Sequence, residues 1–255
     1  MNKDNASPLS FTGPQAVLFK EQLFGYFKQA GLNPNITKEW KQGIFRLFGI
    51  QTYNLPDFDS GNFIIASNHI SDFDAVILGL LHPKIKIISK MGWASNQELM
   101  GFLKQHYDIV GVYRDYEIDA LPDSERAAAK RHNYEVTVDS LKYLKNGTGR
   151  HLLIFPQGTI SDVNKNSVDR VNLGFIKIAS AANASIVNIF TEYPGTEGST
   201  RIVGSAPYAV TNRNHDYRQA WLDDVIALQN SLDSLRPPVF SEKHMNNNNP
   251  DEPFF

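Results

Sequence analysis

The chain has 255 residues, 42% of them hydrophobic and 20% charged, which suits one large globular domain or one and a half. A net charge of −2 offers no global basic field for nucleic acid, and the absence of cysteine excludes disulfides, thiolate metal sites and a cysteine nucleophile. The longest apolar run, "AVILGLL", falls far short of the about 20 residues a membrane-spanning helix needs. The N-terminus "MNKDNASPLS" lacks the pattern of a signal peptide, so a soluble or peripheral, non-exported protein is expected. Residues 1–50 carry a net +3 against −5 for the remainder, and a basic N-terminal segment points toward an anionic surface.

In chain order, 1–13 reads as a flexible N-terminus. Residues 14–30 open on Pro14 and place Ala16, Phe19, Leu23, Phe27 and Ala30 at helical spacing. A second short helix is expected at 38–48, with Trp40, Ile44, Leu47 and Phe48 on one side. Two Phe- and Trp-bearing amphipathic helices flanked by lysines can lie on a bilayer surface or pack on a core, and both readings stand. The domain proper is expected over 44–238, with 14–43 as a membrane-associating helical segment. "FIIAS" (63–67) reads as a buried strand and "DAVILGLL" as a short helix. Strands are expected at 84–89, 107–114, 151–156, 186–192 and 200–206, with helices at 96–105, 123–147 and 173–184. A last helix carries Trp221, Val225, Leu228, Leu232 and Leu235, and 239–255 reads as a disordered tail. Strands alternating with helices predict an α/β fold, a mixed, largely parallel sheet flanked by helices. Ligands in such sheets bind beyond the carboxyl ends of the strands. His69 follows one strand end, Arg114 ends another strand and "PQGT" follows a third, which predicts one shared site.

"ASNHISDFDAVILGLL" (66–81) puts His69 ahead of Asp72 and Asp74 at a strand-to-helix junction. A histidine there suits a general base, because its unperturbed pKa lies near neutrality and a carboxylate can fix its tautomer. Either aspartate can serve. Both acids also have plain structural explanations, since Ser71-x-x-Asp74 has the form of a capping box and Asp72 suits a first helical turn. A metal site built from His69, Asp72 and Asp74 is a third reading, without matching His-plus-carboxylate spacing elsewhere. In "LLIFPQGTISD" (152–162), a strand runs into a tight polar turn where Gly158 lets the backbone approach a ligand closely. Lys90 and Arg150 are lone cations with no assigned place.

"NHISDFD" contains His, four residues, then Asp; "VGVYRD" ends on an arginine; "FPQGT" is close to Phe-Pro-Glu-Gly-Thr. In this order and at these separations, the three resemble the glycerolipid acyltransferase family, typified by bacterial 1-acylglycerol-3-phosphate acyltransferases, over roughly residues 44 to 206. The resemblance implies that His69 deprotonates an acceptor hydroxyl, which attacks an acyl thioester, and that Asp74 orients and charge-balances His69. It implies that Arg114 binds the acceptor phosphate as a forked cation and that Gln157, Gly158 and Thr159 line the acceptor side. It implies direct transfer without a covalent acyl-enzyme, no metal, and no cofactor beyond acyl-CoA or acyl-carrier protein as co-substrate.

Four departures accompany the resemblance, and they gather on the acceptor side while His69 and Asp74 are both present. Gln157 stands where glutamate is usual, Ile160 where an arginine is common, Asn188 where a proline is common, and Leu173 where a lysine precedes a glycine. Arg170 is a candidate replacement cation. The expected function is therefore an O-acyltransferase of phospholipid synthesis with lysophosphatidate as leading acceptor. Its expected partners are a lipid surface and an acyl thioester, not nucleic acid, and its expected place is the inner face of the cell membrane. The alternatives are a non-phosphate acceptor, a metal-dependent hydrolase and a non-catalytic lipid binder.

Overall fold

The computed structural model describes residues 45, 49–70, 74–91, 104, 107–160, 171–192, 200–211 and 215–234. The expected helices at 14–30 and 38–48 (apart from Phe45), most of the helix at 96–105, and the tail lie outside them. Among the described residues, seven strands form one sheet in the order β1-β7-β6-β2-β5-β3-β4. These are β1 (Gln51–Tyr53), β2 (Phe63–Ser67), β3 (Ile85–Lys90), β4 (Asp108–Val112), β5 (His151–Ile154), β6 (Ser185–Glu192) and β7 (Arg201–Gly204). Every pairing is parallel except β6 with β7. The helices are α1 (Asp74–Gly79), α2 (Asp115–Ala120), α3 (Asp123–Lys145), α4 (Gly174–Ala182) and α5 (Tyr217–Ser234). This is the mixed, largely parallel α/β sheet expected from the alternation of elements.

β2 sits in the middle of the sheet, and all five of its residues are buried. That explains a strand with no polar alternation: a parallel sheet covered on both faces is apolar on both sides. Ile65, Leu153, Val187 and Ile87 meet α1 on one face, where all six residues of α1 are buried. Ile64, Leu152 and Ile186 meet Phe175 of α4 and Trp221 and Val225 of α5 on the other. Acidic residues in the first turn of α3 (Asp123, Glu125) and basic ones in its last (Lys142, Lys145) complement the helix dipole. α4 ends on Asn183 at φ 53°, whose N–H returns to Ala179 and Ser180, a left-handed C-terminal cap.

Two elements were not foreseen. β1 is three residues long and mostly exposed, so no periodicity marks it; its pairing with β7 (Thr52↔Ile202) defines it. α2 buries only Ile118, and the carboxylate of Glu117 accepts the Arg114 N–H at 2.8 Å to start it. The strand expected to reach Arg114 therefore stops at Val112, and Arg114 occupies the turn into α2.

Candidate active site

A cavity of about 420 Å³ opens beyond the carboxyl ends of β3, β4 and β5, walled by α3 and α4. His69, Phe155, Gly158, Thr159, Lys90 and Arg114 all line it. The topology makes this convergence. β2 and β5 are neighbours in register, Ala66 beside Ile154, so the segments after both strands leave the sheet side by side. β3 and β4 are likewise paired, Lys90 beside Val112, which brings Lys90 and the turn holding Arg114 to the same rim.

His69 Nδ1 lies 3.0 Å from Asp74 Oδ2, and the same oxygen accepts the Ile70 N–H at 2.8 Å. Asp74 is fully buried, and these donors keep its carboxylate satisfied there. A histidine that gives its Nδ1–H to a carboxylate presents Nε2 as a lone pair, the tautomer a base needs. Its ring also stacks on Phe155, with centroids 4.2 Å apart and planes 24° apart. Carboxylate and phenyl ring together fix both the tautomer and the ring plane. Ser71 and Asp72 lie outside the described residues, as does Arg170. Among the described residues, no group of three or more His, Cys, Asp or Glu could hold a metal ion.

Gln157 occupies a different place from the one expected. It is 5% exposed and does not line the cavity; its Oε1 accepts the His69 backbone N–H at 3.2 Å. A buried amide needs partners, and the parallel pairing of β2 with β5 supplies this one. Gly158, at φ +67° with no atom within 4 Å of where a Cβ would stand, closes the Phe155–Gly158 turn through its N–H to Phe155 O. Thr159 and Ile160 follow it on the cavity wall, and Ile160 is 46% exposed. Asn188 is another correction: it does not belong to the acceptor side. It is fully buried under α5, where its Nδ2 donates to Asp224 Oδ2 at 2.6 Å and lies 3.3 Å from the Tyr208 hydroxyl. Burial raises the pKa of Asp224, and it lifts Tyr208 to about 12.

Sequence reasoning passed over Asn68 and Phe155 and left Lys90 without a place. Asn68 is buried directly before His69 and brackets Thr191 with both halves of its amide, taking the Thr191 N–H at 2.7 Å and donating to its carbonyl at 2.9 Å. A polar residue ending an apolar strand immediately before the histidine was the available signal. Lys90 is exposed at the end of β3 and adds a second cation to the rim beside Arg114; Asp115 is also there. Nothing in its local sequence marked it, because only the β3–β4 pairing places it.

A family model described as acyltransferase matches residues 49–192. The chain is 28% identical over 139 residues to the 1-acyl-sn-glycerol-3-phosphate acyltransferase of Helicobacter pylori (strain J99), an alignment covering 54% of this chain and 52% of that protein. The match thus spans about half the length of that curated relative. The solved 1-acyl-sn-glycerophosphate (LPA) acyltransferase PlsC of Thermotoga maritima superposes with a TM-score of 0.48 at 13% identity, over 86% of this chain and 90% of that one.

Proposed function

The chain belongs to the acyltransferase family, and we propose that it transfers a fatty acyl group from acyl-CoA or acyl-carrier protein to a hydroxyl of a glycerol-phosphate lipid, lysophosphatidate foremost. The observation that carries the proposal is the His69–Asp74 pair at the wall of the cavity, with Nδ1 committed to a buried carboxylate. In the proposed reaction, Nε2 of His69 takes the proton of the acceptor hydroxyl as its oxygen attacks the thioester carbon. Asp74 balances the charge of the imidazolium. Collapse of the tetrahedral intermediate breaks the C–S bond, and His69 returns the proton to the departing thiolate. The ester and the free thiol carry all the atoms, and no acyl-enzyme is required.

Lys90 and Arg114 on the rim provide positive charge for a phosphate-bearing acceptor, with the Arg114 fork able to donate to two phosphate oxygens at once. Ile160 favours a second reading, an acceptor without phosphate, because it puts an apolar side chain on the wall where a cation is common in the resembling family. The acyl chain and the lysolipid are membrane-soluble, and no described helix is long and apolar enough to cross a membrane. An interfacial placement on the inner face of the membrane therefore belongs to the proposal. Tyr116, 61% exposed beside Arg114, and Ile160 give the cavity rim apolar groups suited to it.

The test is an acceptor panel with one labelled acyl-CoA and the full chain: glycerol 3-phosphate, lysophosphatidate and monoacylglycerol. Transfer to lysophosphatidate is expected, with His69→Ala slower by about 10² to 10⁴. Acylation of monoacylglycerol in preference to both phosphate-bearing acceptors would establish the second reading, and near-normal turnover by His69→Ala would refute the base.

A further inference from the structure

We propose that Asn133, on α3, is a positioning residue that presets Arg114 for its anionic ligand; this rests on the reading of Arg114 as a phosphate contact. Among the described residues β4 is an edge strand, and no described strand pairs with its outer side. At its carboxyl end, α3 takes the place of one. His132 Nε2 bonds the Gly111 carbonyl at 2.9 Å. Asn133 Oδ1 accepts the Tyr113 N–H at 2.9 Å, and its Nδ2 donates to the Tyr113 carbonyl at 2.7 Å. One amide thus holds both peptide groups of the residue directly before Arg114, and the donor–acceptor pattern of Tyr113 fixes which way that amide faces. Arg114 is clamped from its other side as well, by its own N–H to Glu117 at 2.8 Å.

The guanidinium inherits this geometry. Arg114 Nη1 donates to the Tyr116 hydroxyl at 3.0 Å, and the group lies 5.8 Å from the centre of the Tyr116 ring. A forked cation donates to two phosphate oxygens at once only when the fork is aimed, and a flexible side chain on a loose turn spends binding energy on ordering itself. Asn133 removes that loss before the ligand arrives. An arginine in the turn after a strand is ordinary; a side-chain amide spent on the preceding peptide unit is what singles this one out.

The assay is steady-state kinetics of the full chain with lysophosphatidate and acyl-CoA in mixed micelles, for Asn133→Ala, Arg114→Ala and the double variant. Asn133→Ala is expected to raise the KM for lysophosphatidate by about tenfold and leave kcat within about twofold, the pattern of lost ligand binding without lost chemistry. In the Arg114→Ala background it should change nothing further, because its effect passes through Arg114. Asn133→Gln keeps both polar groups but displaces them by a methylene; it should shift KM in the same direction and guards against a poorly folding alanine variant. An unchanged KM for Asn133→Ala, alongside a raised one for Arg114→Ala, overturns this inference alone. Full additivity in the double variant also overturns it, by making Asn133 an independent contact or a structural element. An unchanged KM for Arg114→Ala overturns the phosphate reading, and this inference with it.

Discussion

Replacing Asp74 by asparagine separates a catalytic carboxylate from a structural one. The buried Oδ2 accepts from His69 Nδ1 at 3.0 Å and from the Ile70 N–H at 2.8 Å. An amide nitrogen at that position would face the Ile70 N–H, donor against donor, so the asparagine oxygen takes the site of Oδ2. Both hydrogen bonds then survive as neutral ones, and the Nδ1–H tautomer is kept. What is lost is the charge opposite an imidazolium. Two unit charges about 4 Å apart attract by about 4 kcal/mol at an effective dielectric of about 20, and the retained neutral hydrogen bond recovers part of this. The expected loss in kcat is therefore about 10² to 10³. Stability should move the other way or not at all, because removing a buried charge while keeping these two hydrogen bonds relieves desolvation. Thiol release from acyl-CoA, followed photometrically, measures the first quantity, and thermal unfolding by circular dichroism the second. A kcat within threefold of wild type would refute the charge-balancing role. A kcat that fell only in step with a collapsed melting temperature would assign Asp74 to holding the turn into α1.

Gly79→Ala should lower stability by about 1 to 3 kcal/mol through overpacking, because its Cβ would stand 2.6 Å from Tyr107 Cε1; a urea titration unchanged in midpoint would contradict that packing. The buried His151, at the opposite end of the sheet from the cavity, has its pKa pushed down to about 3 by burial first and by His82 second. A histidine lowered in the folded state contributes stability that is complete above the unfolded value of about 6.5 and is lost as pH falls from there toward 3. The loss approaches about 1.4 kcal/mol per pH unit in that window. His151→Asn, which can keep an acceptor for the Phe63 N–H now bonded to Nδ1 at 3.2 Å, should flatten that slope by up to one proton in urea titrations between pH 6.5 and 4. An identical slope in both proteins would show that His151 is not held neutral.

The alternation of strands and helices was written in the residues themselves. "FIIAS", "HLLIFP" and "IVNIFTE" read as strands, and the strand-end positions of His69 and "PQGT" follow from that pattern. The order of motifs and their resemblance to a known family then chose Asp74 over Asp72, a choice that spacing by itself left open. Pairing decided the rest, since contacts between residues 20 or more apart leave no local signal. Gln157 looked like a ligand-facing loop residue until β5 was laid beside β2, which turned its amide toward the His69 backbone. Asn188 looked like a departure at the acceptor side until α5 covered it and brought Asp224 to its amide. Lys90 and Asn133 carried no motif at all. The first reaches the rim because β3 pairs with β4, and the second meets Tyr113 because β4 is an edge that α3 must close. Composition and periodicity specify which segments are buried and in what form, whereas the direction a polar side chain faces depends on which neighbour the sheet order puts beside it.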